Sequence, residues 1–258
     1  MAAFAFHPTT VGFDKVNALG LAQATELAYA SDDTIRRTID IQWHFPKCRF
    51  FNKRGAQGYL AVNDAVMMLL FRGVAVEAIG PWVSEAQSAL VPVEAGRMHR
   101  GLHAAFEAIW DELLVSFRLL RNRNQPIFIA GHNIGGGLAV RAAQRLAMEN
   151  LLPAGLYTFG APRVGDTPFC DALRTRLAGR MFRFVNDHDF IPRLPPRAWG
   201  YDHVGEVEYC DAEGKWQEGE AVWQAAMAEA TDGPDGFLKQ SLEAPAPHGI
   251  DQYVARLT

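Results

Sequence analysis

The chain has 258 residues, a formal net charge of −4 and a pI near 6.1, with 49% hydrophobic and 21% charged residues. It is long enough for one large α/β domain with a substantial core, and its composition is ordinary for a globular protein. The acidic balance and the lack of lysine or arginine runs exclude a nucleic-acid partner.

Taken in order, the N-terminus lacks the basic region and long apolar core of a secretory signal. A cytoplasmic protein is therefore expected, with secretion by another route left open. Residues 13–29 read as a helix carrying Val16, Leu19, Leu21 and Leu27. Asp32 and Asp33 predict the cap of a second helix ending near Trp43. The runs 58–62 and 66–71 flank Asn63-Asp64 and predict a hairpin or two adjacent strands. Residues 101–120 predict a long amphipathic helix, with Phe106, Ile109, Trp110, Leu113, Leu114 and Phe117 at helical spacing. Pro126 to Ala130, 156–159 and 181–185 are apolar and predict buried strands, with a helix near 169–177. Residues 217–230 predict a surface helix and 231–236 a loop. Strands alternating with helices imply a mostly parallel sheet covered on both faces. No repeat or linker divides the chain, so a single domain over 1–258 is expected. Cys48, Cys170 and Cys210 are too few for a disulfide framework and are expected to be reduced. The eight histidines are scattered and no Cys-x-x-Cys occurs, so neither a metal nor a cofactor is expected.

Between the strand at 126–130 and the small-residue helix from Gly136 lies Gly131-His132-Asn133-Ile134-Gly135. Strand, tight glycine turn and helix form the setting of a nucleophile elbow, G-x-S-x-G. The first glycine is expected to permit the strained turn and the second to let helix and strand pack closely. The residue pushed above the sheet is Asn133, whose amide is not a nucleophile of the hydroxyl kind. An acyl-transfer site also needs a base, a carboxylate that orients it and donors for an oxyanion. Downstream, Asp187 and Asp189 follow a strand end, where α/β sites gather. His188, His203 and His248 are the histidine candidates. For each, an idle solvated loop residue is the alternative.

These stretches resemble the class 3 lipases, the fungal-lipase-like branch of the α/β-hydrolases, with bacterial members the nearest in pattern. The run 131–139 resembles GHSLGGALA, and 157–166 resembles the family's TFGAPRVGD. Residues 184–196 resemble its acid-bearing segment, 200–205 a structural one, and Phe71-Arg72-Gly73 its FRGT. Ordered matches of this kind across most of the chain are specific. The resemblance implies the α/β-hydrolase fold and hydrolysis of a lipid or small acyl ester, with transient contact at a lipid interface. It implies Asp189 as acid, His248 as base, His203 as a structural residue, and the backbone N–H groups of Val74 and Ile134 as oxyanion donors. Asn133 takes the nucleophile position.

Two departures matter. Asn133 replaces serine, and Val74 replaces the hydroxyl residue that usually follows Arg-Gly. Change in both places fits natural loss of selection on hydrolysis better than a single introduced substitution, and a new chemistry is the third alternative. Two functions remain open: an ester hydrolase impaired at Asn133, or a pseudo-lipase that binds an acyl group or regulates. Met67, Met68, Trp82, Met98, Trp110 and Phe190 are either pocket lining or simple core. Residues 84–98, where the family's lid falls, are either a lid with an apolar strip or an ordinary packed loop.

Overall fold

Asp14 and Ser31 start the first two helices. In the computed structural model, which describes residues 4–74, 89–122, 124–228 and 248–258, the Asp14 side chain accepts from the Asn17 N–H and opens α1 (Lys15–Leu27). Ser31 accepts from the Thr34 N–H and opens α2 (Asp32–Arg37). The cap is therefore Ser31 rather than the acidic pair. Asp32 and Asp33 fill the first turn, where negative charge suits the helix dipole. A π turn over Thr38–Gln42 carries the coil to Trp43.

Three antiparallel strands follow: β1 (Lys47–Lys53), β2 (Ala56–Val62) and β3 (Met67–Phe71). β4 (Leu90–Pro92) and β5 (Arg97–His99) form a separate small hairpin. The long helix α3 (Arg100–Leu120) starts at His99, whose Nδ1 accepts from the Gly101 and Leu102 N–H groups. Next come β6 (Ile127–His132), α4 (Ile134–Met148), β7 (Gly155–Phe159), α5 (Thr167–Arg176) and β8 (Met181–Asn186). β9 (Glu206–Cys210), β10 (Trp216–Glu218), α6 (Glu220–Ala228) and α7 (Ile250–Leu257) complete the described elements. The sequence expectation ran one surface helix from residue 217; its first residues instead pair as β10 against β9. The loop expected at 231–236 lies outside the described residues.

The main sheet has the order β1-β2-β3-β6-β7-β8-β9-β10. Its centre, β3-β6-β7-β8-β9, is parallel, and antiparallel pairs flank it. Period-two alternation divides each central strand between two apolar layers. Met67, Leu69 and Phe71 face α3, α4 and α5, whereas Met68 and Leu70 face α1 and α7. Burial on both faces is why these strands read as unbroken apolar runs. This is the α/β-hydrolase architecture the sequence implied. Cys48, Cys170 and Cys210 are all buried free thiols.

Candidate active site

β6 ends at His132, and α4 begins at Ile134, so the single residue between them must reverse the chain. Asn133 does so at φ 58° and ψ −132°, a conformation that costs a non-glycine residue roughly 1–3 kcal/mol. The strain therefore sits on Asn133 itself and not on Gly131, as the sequence had implied. Gly131 and Gly135 serve close approach instead. A Cβ on Gly131 would lie 2.2 Å from the Gly135 carbonyl oxygen, and one on Gly135 would lie 2.4 Å from that of Arg72. The Asn133 N–H is held by the Phe159 carbonyl at 3.0 Å, tying the elbow to β7.

Asn133, Asp189 and His248 meet in the fold. The Asn133 side-chain nitrogen Nδ2 lies 2.8 Å from His248 Nε2. His248 Nδ1 lies 2.9 Å from both Asp189 oxygens. Asp189 is fully buried, and so, nearly, is His248. The carboxylate only accepts, so Nδ1 carries the imidazole proton and Nε2 accepts from the amide. Asp189 is held in turn: Ile191 N–H donates to Oδ1 at 3.0 Å, and Tyr253 O–H donates to Oδ2 at 2.5 Å. The Tyr253 oxygen also accepts from the Asn186 N–H. Gly160 leaves room for this cluster, because a Cβ there would meet Asp189 Oδ2 at 2.5 Å and His248 Nδ1 at 3.1 Å.

The other candidates fall elsewhere. Asp187 pairs loosely with the exposed His188 at 3.5 Å. His203 is buried, donates from Nε2 to the Pro192 carbonyl at 2.6 Å and packs edge-on against Trp223. Burial and the nearby arginines hold it well below the usual histidine range. Its neighbour Asp202 receives Arg174 and Arg197.

The two expected oxyanion donors have different surroundings. The Ile134 N–H donates to Asn133 Oδ1 at 2.5 Å. Val74 presents its carbonyl, which accepts from Asn133 Nδ2 at 3.3 Å. The asparagine amide is thus satisfied on every side, with Oδ1 on the helix N–H and Nδ2 shared between Val74 and His248.

Sequence reasoning missed Tyr29 and His132. Tyr29 O–H donates to His132 Nδ1 at 2.6 Å and accepts from the Gly73 N–H at 2.7 Å. His132 Nε2 donates to the His248 carbonyl at 2.7 Å, and the two imidazoles stack with centroids 4.6 Å apart. Burial, with the His248 ring alongside, lowers His132 to a pKa of about 3, so it stays neutral and keeps one donor and one acceptor. The relay Gly73–Tyr29–His132–His248 joins the expected oxyanion loop to the expected base.

Of the proposed pocket residues, Met67, Met68, Met98 and Trp110 belong to the core layers. Phe190 lies with its ring 6.1 Å from the His248 ring. Trp82 and the first part of the expected lid, 84–88, lie outside the described residues. Residues 89–98 hold the β4–β5 hairpin. Ion pairs from Glu94 to Arg141 and from Arg97 to Asp166 fasten it to the body of the fold.

A mostly parallel sheet with an elbow between β6 and α4, and a buried Asp–His pair beside that elbow, is the arrangement of an α/β-hydrolase. The family model described as Lipase (class 3) matches residues 68–199, and the chain belongs to that family. It is 33% identical over 117 residues to "Secreted mono- and diacylglycerol lipase 1" of Fusarium solani, a stretch covering 43% of this chain and 34% of that protein. It is 29% identical over 157 residues to "Lipase" of Rhizomucor miehei, covering 56% and 41%. The chain thus matches less than half the length of either relative. Among solved structures, MDLA of Penicillium cyclopium has a TM-score of 0.72 at 18% identity, covering 93% of this chain and 97% of that one. Lipase II from Rhizopus niveus has a TM-score of 0.63 at 18% identity, covering 78% and 83%.

Proposed function

We propose that this chain carries the site of a lipase-type carboxylic ester hydrolase, acting on a lipid or small acyl ester, and that Asn133 silences it. With serine at position 133, the hydroxyl attacks the ester carbonyl while His248 Nε2 takes its proton. Asp189 holds the imidazole in the required tautomer, and the Ile134 N–H receives the oxyanion. The membership in the class 3 lipases and the buried Asp189–His248 pair support this reading. The observation that carries the silencing is the position of the Asn133 amide. It removes the attacking atom, and its Oδ1 also occupies the Ile134 N–H that an oxyanion needs.

Removing the nucleophile of such a site costs on the order of 10⁶-fold in turnover. The purified chain is therefore expected to hydrolyse short p-nitrophenyl esters at little above the background rate, and Asn133→Ser to raise that rate by roughly 10³-fold or more. A folded Asn133→Ser variant without activity would overturn the assignment of acid or base. In that case a pseudo-lipase that holds an acyl group without turnover becomes the reading to test, by titration with a fluorescent fatty acid.

A further inference from the structure

The elbow that projects a side chain above the sheet also folds Asn133 back on its own backbone. At ψ −132°, an L-residue brings the following nitrogen round to the same side of the Cα–C bond as its Cβ. Cβ, Cα, C and the Ile134 nitrogen are then nearly eclipsed, as they are in a five-membered imide ring. L-residues avoid this backbone region unless the fold imposes it, and here the β6-to-α4 reversal imposes it. The side chain completes the approach, because Oδ1 accepts from Ile134 N–H at 2.5 Å and Cγ is bonded to that oxygen. Ile134 opens α4, and first-turn N–H groups have no partner within the helix. Using its nitrogen breaks no bond of the helical ladder. The departing group is held as well, with Nδ2 lying 2.8 Å from His248 Nε2.

We propose that the folded site deamidates its own Asn133 through a cyclic imide closed between Asn133 Cγ and the Ile134 nitrogen, with His248 delivering the proton to the departing ammonia. The Ile134 N–Cγ bond forms as the proton on that nitrogen passes to Oδ1 along the existing hydrogen bond. As the carbonyl reforms, the Oδ1 hydroxyl proton passes to the unprotonated His248 Nε2, which delivers it to Nδ2. The Cγ–Nδ2 bond breaks, and ammonia leaves. The net change is one proton moved from the Ile134 nitrogen to Nδ2. Water subsequently opens the imide to aspartate or isoaspartate. The β-branched Ile134 shields the attacking nitrogen in a flexible peptide, so the reaction is a property of the fold rather than of the dipeptide. Conversion places a carboxylate at the N-terminus of α4, where the helix dipole favours negative charge.

The inference rests on the reading of His248 as the proton-carrying base, but its readout is mass rather than ester turnover, so failure of one does not hide failure of the other. The purified chain is incubated at neutral pH with and without denaturing urea, then followed by intact mass and peptide mapping. In the folded chain a species lighter by about 17 Da appears first, followed by one heavier than the starting chain by about 1 Da. Both map to position 133, with aspartate and isoaspartate together. Proximity gives a rate in the folded chain about ten-fold or more above that in urea. His248→Gln, checked by circular dichroism to be folded, slows the loss of ammonia by about ten-fold. A rate at position 133 no higher than in urea overturns the proposal. So does an intact Asn133 when the exposed Asn52 and Asn150 have deamidated. Aspartate alone, with no imide and no isoaspartate, overturns the cyclic route. An unchanged rate in folded His248→Gln overturns the role of the histidine.

Discussion

Asn133 Oδ1 accepts the Ile134 N–H at 2.5 Å, so in the proposed reading the donor meant for an oxyanion is occupied by the residue at the nucleophile position. On the proposed function Asn133 therefore has two effects: it lacks the attacking oxygen and it fills the site of the negative charge. Asn133 Nδ2 adds a third by capping His248 Nε2. The proposed base and acid are nevertheless assembled and buried, which is why Asn133→Ser is the informative experiment.

Val74 is the second departure from the family pattern, and its contribution is expected to be smaller. It supplies a backbone peptide but no hydroxyl to fix the oxyanion loop. One lost hydrogen-bonding group of this kind costs about 1–3 kcal/mol. Adding Val74→Thr to Asn133→Ser is expected to raise kcat for p-nitrophenyl ester hydrolysis by about ten-fold, with little change in KM. An unchanged or lower kcat in a folded double variant argues that the loop is positioned without that hydroxyl.

Tyr29 is expected to position that same loop. Its hydroxyl links the Gly73 N–H to His132 Nδ1, and His132 reaches the His248 carbonyl. Tyr29→Phe strands the Gly73 donor and the His132 acceptor while keeping the ring. In the Asn133→Ser background it should lower kcat about three- to thirty-fold, consistent with the loss of one hydrogen-bonding partner. The rate and the melting temperature are measured together. A fall in melting temperature with kcat unchanged would assign Tyr29 to the fold alone.

Tyr253 acts on the acid. Its hydroxyl donates to Asp189 Oδ2 and accepts from the Asn186 N–H. Burial, with Asp189 alongside, drives its own ionisation well above the usual tyrosine range, so it remains a donor. Tyr253→Phe leaves a buried carboxylate oxygen and a backbone N–H unpaired, at a cost of about 1–3 kcal/mol in stability. In the Asn133→Ser background kcat should also fall, because Asp189, which orients His248, is held by one donor fewer. A destabilised variant with unchanged kcat would reduce Tyr253 to a packing role.

Much of the central fold was legible because period and burial agree there. α3 carries its apolar stripe at helical spacing, and β3, β6, β7 and β8 are largely apolar and buried along their whole length. β1 escaped because its burial alternates irregularly among lysine, arginine and asparagine at the edge of the sheet. β4, β5 and β10 span three residues each, too few to show a period. At the candidate site, the three side chains that meet, Asn133, Asp189 and His248, lie at positions that motif and chain order single out. Tyr29 carried no signal, because its hydrogen bond to His132 spans 103 positions and only the fold brings the two together. The occupied Ile134 N–H was equally hidden, since it depends on the backbone angles of the elbow.

Glu208 on β9 is 5% exposed and stands opposite Glu218 of β10. Burial first, then the neighbouring carboxylates of Glu218 and Glu206, push its pKa up to about 7 from an unfolded value of 4.5. The sign follows from which state holds the proton. Below 4.5 both states are protonated, and Glu208 imposes no penalty. Between 4.5 and about 7 the folded state keeps a proton that the unfolded state has lost. Above about 7 both states are ionised, and the folded state bears the full cost of a buried, crowded charge. Stability contributed through Glu208 therefore falls as pH rises across this window. His132 opposes this over part of the range. Its folded pKa of about 3 lies below its unfolded value of 6.5, so its effect lowers stability as pH falls through 6.5. The two slopes are separated by difference. Glu208→Gln keeps the shape and removes the titration, so its melting temperature minus that of the parent should be near zero or negative at pH 4.5 and positive at pH 8. A difference that does not change between those two pH values would place the Glu208 carboxylate in contact with water despite its burial.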